Sequence, residues 1–309
     1  MSNPLAPVLI APETYDRSQW LGSSDIGAII GANPYRNRLD VFLDKADPAQ
    51  RAETPAMRRG KRMEPVLLDW VAEDFGLDIE HRGRRWGLVD VRHAAEIDGE
   101  YREGKTLQNI EIKTAGFGMG REFTNESDGL PLHYLAQTQW GLYVTGRELC
   151  RVYVWIGDEL RPYWIERDDG LIQLMREEGT AFFENHIKPA IVPAIEPEHA
   201  RMLETLKRLF PGTNGATQAA TPADEHWYAV LQQATEQRAR YEAVEDAAKA
   251  HLLETMGESA QLLFEDGQAL KRAVRNRKGY TVEATSYVDA RIGKPVEEKP
   301  AKPTKKAAA

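Results

Sequence analysis

Residues 109–118 read NIEIKTAGFG. Ile110 and Ile112 alternate with Glu111 and Lys113, the period of two that marks a strand with one apolar and one charged face. An acid and a base therefore share a face, and Thr114 to Gly118 then carry the chain out of the strand into a loop. A lone Glu-x-Lys is most often a solvated ion pair on an edge strand. Upstream, in AEIDGEY (95–101), Asp98 stands before Gly99 at a strand-like bend. A hairpin between the two segments sets Asp98 and Glu111 on adjacent strands. Two converging carboxylates form a hard-oxygen site suited to Mg²⁺, with the Ile112 carbonyl as a third oxygen. An ammonium at Lys113, aimed at the same spot, can orient a water or stabilise negative charge on phosphorus.

The rest of the composition narrows the setting. The chain has 309 residues, 42% of them hydrophobic, enough for one large domain or two modest ones. No apolar run reaches the roughly 18 residues of a membrane span. MSNPLAPVLIAPET at the start lacks the charged head and long apolar middle of a signal peptide. Cys150 is the one cysteine, which excludes an internal disulfide and cysteine-rich metal sites, so a cytoplasmic protein is expected. The net charge of −8 argues mildly against a polyanion partner. MRRGKR (57–62), HRGRR (81–85) and KRAVRNRK (271–278), however, concentrate positive charge in blocks.

Pattern divides the chain near residue 211. Residues 1–14 read as a flexible N-terminus and 15–210 as mixed α/β. SSDIGAIIG predicts a short helix with Ser24 as N-cap and Gly31 as its stop, and RLDVFLDKA a second. EPVLLDWVAEDFG predicts a longer helix, Pro65 marking its first turn and placing Glu64 near its N-terminus. Strands are expected at 84–92, 94–101 and 106–114, then a Gly-rich loop over 115–130. The helix HYLAQTQWGLYVTG follows, with Tyr134 and Gln137 on one face. A hairpin around Asp158-Glu159 and two more helices complete this part. Residues 211–225 have linker composition. Residues 226–292 read as an arm: an amphipathic helix on the order of 45 Å long, then a hairpin around Asp266-Gly267. Lys271, Arg272, Arg275, Arg277 and Lys278 on that hairpin are candidates to grip phosphate. The tail, 293–309, is low-complexity and expected to be disordered.

RGKRMEP, EIDGE, IEIKT and HYLAQTQWGLYVTG occur in that order. In this the chain resembles the YqaJ-type viral recombinase family, relatives of lambda exonuclease in the PD-(D/E)XK nuclease superfamily, over residues 15–190. The resemblance implies an α/β, restriction-endonuclease-like core, its mixed sheet flanked by helices, with a C-terminal helical arm and hairpin added. It implies Mg²⁺, with Mn²⁺ able to substitute, held by Asp98, Glu111 and the Ile112 carbonyl. Lys113 is then the catalytic lysine, Glu64 an additional acid at the metal, and Gln137 the helix residue that completes the site, with Tyr134 on the same face a candidate to bind substrate. Arg17 and Ser24 match residues that bind the 5′ phosphate of a DNA end. Arg offers a bidentate fork, and Ser24 sits where a helix N-terminus can receive an anion. One departure stands out: Glu96-Ile97 precede Asp98 where the family has a small residue and Pro.

The reading that results is a phage- or prophage-encoded, metal-dependent deoxyribonuclease. It degrades one strand of linear duplex DNA, 5′ to 3′, to expose single strand for an annealing protein, and resembles enzymes that form rings around DNA. The alternatives are a structure- or site-specific endonuclease on the same core and a non-catalytic DNA-binding module.

Overall fold

The computed structural model describes residues 6–48, 53–116, 123 and 129–274. Most of the Gly-rich loop, together with Arg275, Arg277, Lys278, the 293–309 tail and the first five residues, lies outside the described residues. Two compact units divide at Phe210 and Pro211.

The first unit is built on seven strands: β1 (Val8–Leu9), β2 (Leu21–Gly22), β3 (Ile79–Leu88), β4 (His93–Glu103), β5 (Thr106–Ala115), β6 (Leu149–Ile156) and β7 (Glu159–Glu166). Its helices are α1 (Ser23–Ile29), α2 (Arg38–Ala46), α3 (Pro55–Phe75), α4 (Leu132–Thr145), α5 (Asp169–Phe182) and α6 (Met202–Leu209). The sheet runs β1-β3-β4-β5-β6-β7, with β2 beside β4. Pairing is antiparallel except for β2–β4 and β5–β6. The parallel step from β5 to β6 requires a crossover, and α4 is that crossover. The mixed α/β core read from the sequence is thus present.

Helices cover both faces. On one, Leu67, Leu68 and Val71 of α3 pack against Ile110 and Ile112. On the other, Trp140 of α4 joins Ile97 with Ile26 of α1 and Met175 of α5. The apolar side of NIEIKT therefore meets α3, and its charged side lies under α4. Strand β5 is interior to the sheet, between β4 and β6, so the solvated edge-strand reading of Glu111 and Lys113 does not hold.

Several boundaries differ from expectation. Helix α1 begins at Ser23, and the Gly22 N–H donates to the Asp25 carboxylate at 3.1 Å. Ser24 is therefore inside the first turn and is not the cap. Helix α3 begins at Pro55, capped by Thr54, so Pro65 lies in its interior and Glu64 is mid-helix. A proline there cannot donate to the Lys61 carbonyl, which opens one rung of the helix. The hairpin turn sits at Gly157-Asp158, one residue early, where Gly157 takes φ +66.

The second unit contains α7 (Pro222–Met256), capped by Thr221, and a small hairpin of β8 (Gln261–Leu263) and β9 (Ala269–Lys271). The helix starts four residues before the 226 expected from pattern, because Thr221 and Asp224 form a capping box and Pro222 favours the first turn.

Candidate active site

Strand β4 has two neighbours on one edge. Its first residues, His93 and Ala94, pair with β2, and Gly99–Glu103 pair with β5. The residues between, Ala95–Asp98, pair with neither, so the sheet splits there. Side chains satisfy the backbone on both sides of the split. The Trp140 indole donates to the Ala94 carbonyl at 3.1 Å, and the Asp98 carboxylate accepts from the Ile112 N–H at 2.8 Å. On the β3 side, pairing passes from Arg82–Gly99 to Arg84–Ile97, skipping Gly83 and Asp98. Gly83 takes φ +61, and the pleat changes phase across this pair. Arg84 reaches Glu100, whereas Arg82 reaches Asp69 of α3. The distortion turns Asp98 toward the gap.

Into this gap come the residues picked out from NIEIKT. The Lys113 ammonium donates to Glu111 Oε1, and Gln137 of α4 donates to the same oxygen at 2.6 Å. The ammonium also lies 5.3 Å from the centroid of the Tyr134 ring. Asp98 is fixed on Ile112, beside them. Glu111 is buried and Asp98 is half-buried. Burial, and then the charge of Glu111, push the Asp98 carboxyl well above its usual range. Glu64 is likewise raised, by burial and then by Glu111 and Glu96. Burial alone would lower Lys113, but Glu111 and Asp98 more than offset it and its pKa rises. Two acids that resist ionising together, one ammonium and a carbonyl make a site in which a divalent cation would relieve the crowding of negative charge. The donor set fits a hard cation. Among the described residues, Glu64 is not gathered with Asp98 and Glu111 into a compact three-carboxylate cluster. Asp98 and Glu111, with the backbone of Ile112 beside them, could hold such a cation, and Glu64 feels the charge of Glu111.

Arg17 and Ser24 are also brought together. The Arg17 guanidinium donates to Ser24 Oγ at 3.0 Å. Pattern reading missed what surrounds them. Asp25 is buried there, with Lys45 at 2.6 Å, Arg36 at 3.3 Å and Arg17 at 3.8 Å. Burial would raise Asp25, but these three cations outweigh it and hold the carboxyl well below its usual value. Arg36 also pairs with Asp44 at 2.8 Å, so the three cations already face two carboxylates. Glu96 is likewise not a bare repulsive charge, because Arg85 pairs with it at 2.5 Å and lies 4.1 Å over the Tyr15 ring. A third buried group, Glu100, is held by Arg147 at 2.7 Å and by the Trp86 indole at 2.6 Å. None of these partners is signalled by helix or strand periodicity, since each pair joins residues of different segments.

Residues 14–148 match the model of the YqaJ-like viral recombinase domain, a span that includes every site residue named above from Arg17 to Gln137. Over that span the chain is similar to the YqaJ-like viral recombinase domain. A curated relative, the uncharacterized protein YqaJ of Bacillus subtilis (strain 168), is 28% identical over 232 residues, covering 69% of each chain. An alkaline exonuclease of Laribacter hongkongensis (LHK-Exo) is similar in structure, with TM-score 0.46 and 22% identity over 63% of this chain and 95% of that one. A phage-related exonuclease from Haemophilus somnus 129PT is similar with TM-score 0.41 and 13% identity, over 56% and 95% of the two chains. The YqaJ-like segment ends at Glu148, just before β6, so β6, β7 and α5 complete the sheet and its cover from outside the matched span.

Proposed function

We propose that this YqaJ-like chain is a divalent-metal-dependent DNA exonuclease that degrades one strand of linear duplex from its 5′ end. The observation that carries the reading is the meeting of Asp98, Glu111 and Lys113 at the split in the sheet. Asp98, Glu111 and the Ile112 carbonyl would hold Mg²⁺ or Mn²⁺, which when bound supplies Lewis-acid activation of the phosphodiester and its attacking water. The chain's own groups do the rest. Gln137 fixes the rotamer of Glu111 by donating to Oε1. Lys113, kept protonated by its two acids, supplies a fixed positive charge where negative charge develops on phosphorus. Tyr134 walls one side of the ammonium. Arg17 and Ser24 offer donors to a terminal phosphate, while Arg36 and Lys45 behind them are held by Asp25 and Asp44. The single strand produced suits an annealing protein as partner, and a ring of copies enclosing the duplex would give processivity.

The test is digestion of 5′-phosphorylated linear duplex, 5′-hydroxyl duplex and covalently closed circles, with and without Mg²⁺. Linear DNA should be lost from its ends and circles should persist. Lys113→Ala should cut kcat by roughly 10²–10³-fold, the scale of removing one electrostatic stabiliser. Near wild-type digestion by Lys113→Ala or Glu111→Ala would remove the reading. Rapid cutting of circles would replace it with an endonuclease.

A further inference from the structure

Helix α7 is 35 residues long, about 52 Å at 1.5 Å per residue. Met256 is its one buried residue. Helices of soluble proteins draw most of their stability from packing apolar residues, and this one leaves its large apolar residues in water. Trp227 is 59% exposed, Tyr241 74% and Val244 65%.

These residues are not scattered. Trp227, Val230, Ala234, Tyr241, Val244 and Ala248 follow one another at the alternating three and four of a heptad seam, with Gln237 filling the single gap. Trp227, Ala234, Tyr241 and Ala248 take position a, and Val230, Gln237 and Val244 position d. A polar residue inside a seam of this kind fixes register at some cost in stability.

The flanking charges choose the occupant and its direction. In a parallel, in-register pair of α7 helices, each g residue meets the e residue five positions later in the other copy. Arg240 then meets Glu245 of the second copy, twice by symmetry. The other meetings are His226 with Leu231, Gln233 with Arg238 and Ala247 with Leu252, and none opposes like charges. An antiparallel pair of full overlap brings g to g and e to e, which sets Arg240 against Arg240 and Arg238 against Arg238 at its centre. We propose that α7 forms a parallel two-stranded coiled coil with the same helix of a second copy of this chain. The pairing does not depend on the nuclease reading, and either can fail without the other.

Cys150 is buried, and burial pushes its thiol well above the usual range, so it is silent toward mild oxidants. Ala234→Cys in the full chain therefore reports on α7 alone. It should form an inter-chain disulfide under mild oxidation, while Ala239→Cys, on the outer face, should not. Light scattering of the unmodified chain across a concentration series should show an association step that Tyr241→Glu weakens at least tenfold. Arg240→Glu should weaken association about tenfold, the scale of two flanking pairs turned from attraction to repulsion. Adding Glu245→Arg should restore most of it. Circular dichroism checks that helix content is retained. Equal cross-linking at 234 and 239, or loss of association with Arg240→Glu that Glu245→Arg does not repair, would each overturn the proposal.

Discussion

His93 opens β4, and its Nδ1 lies 3.2 Å from the Tyr143 hydroxyl, while Nε2 has no partner among the described residues. Burial, and then the charge of Arg176, lower its pKa to about 4. An unfolded chain binds this proton near pH 6.5, so between about 6.5 and 4 the unfolded state holds more protons than the folded one. Stability from this group is complete above that window and falls as pH drops through it, by up to about 3 kcal/mol. The raised carboxyls of Glu64 and Asp98 act with the opposite sign, gaining as pH falls. The difference between wild type and His93→Gln isolates the imidazole. Urea melts at pH 7.5 and pH 5 should show the wild type losing more stability than the variant. Parallel losses would mean that His93 is protonated in the fold. Glu111 and Lys113 could be chosen from sequence because their chemistry and spacing lie within three residues. His93, Glu100 and Asp25 could not, since their partners lie between 8 and 50 residues away and outside their own elements.

Among the elements, β4 and α3 meet at Gly99. A Cβ there would stand 2.9 Å from Leu68 Cδ2 and 3.2 Å from Ile110 Cβ. The helix can rest on the sheet beside Asp98 only because that side chain is missing. Gly99→Ala should therefore destabilise by roughly 1–3 kcal/mol through overpacking. Combined with Leu68→Ala it should cost less than the sum of the two single changes, because each relieves the other. Strict additivity in denaturant melts would show that the contact is not tight. The strands and helices themselves were largely legible, since alternation, glycine stops and helical spacing are local signals. The start of α3 was not. Glu64-Pro65 reads locally as a first turn, and only packing of Leu67, Leu68 and Val71 on the sheet sustains a helix through an interior proline. Nor could pattern reveal that the charged side of β5 is covered, because that depends on where α4 crosses.

At the scale of the whole chain, the three buried clusters found among the described residues all lie in the unit ending at Phe210. A fragment ending at Phe210 should fold and melt within a few degrees of the nuclease transition in the full chain, as followed by calorimetry. Insolubility or a much lower melting point would tie the second unit to the core. No described helix is long and apolar enough to cross a membrane. The split in the sheet has a consequence for how the fold breathes. Among the described residues, the backbone ladder joining β5, β6 and β7 to the rest of the sheet runs from Gly99 to Glu103, with the hold of Asp98 on Ile112 and the Arg151–Glu103 ion pair beside it. That half can open as a cooperative unit at a lower free energy than global unfolding. Deuterium should enter Ile110–Lys113 before Arg82–Leu88, and Asp98→Ala should hasten it there by roughly tenfold or more while leaving β3 unchanged. Where the candidate chemistry sits, the sheet is already half unbuttoned.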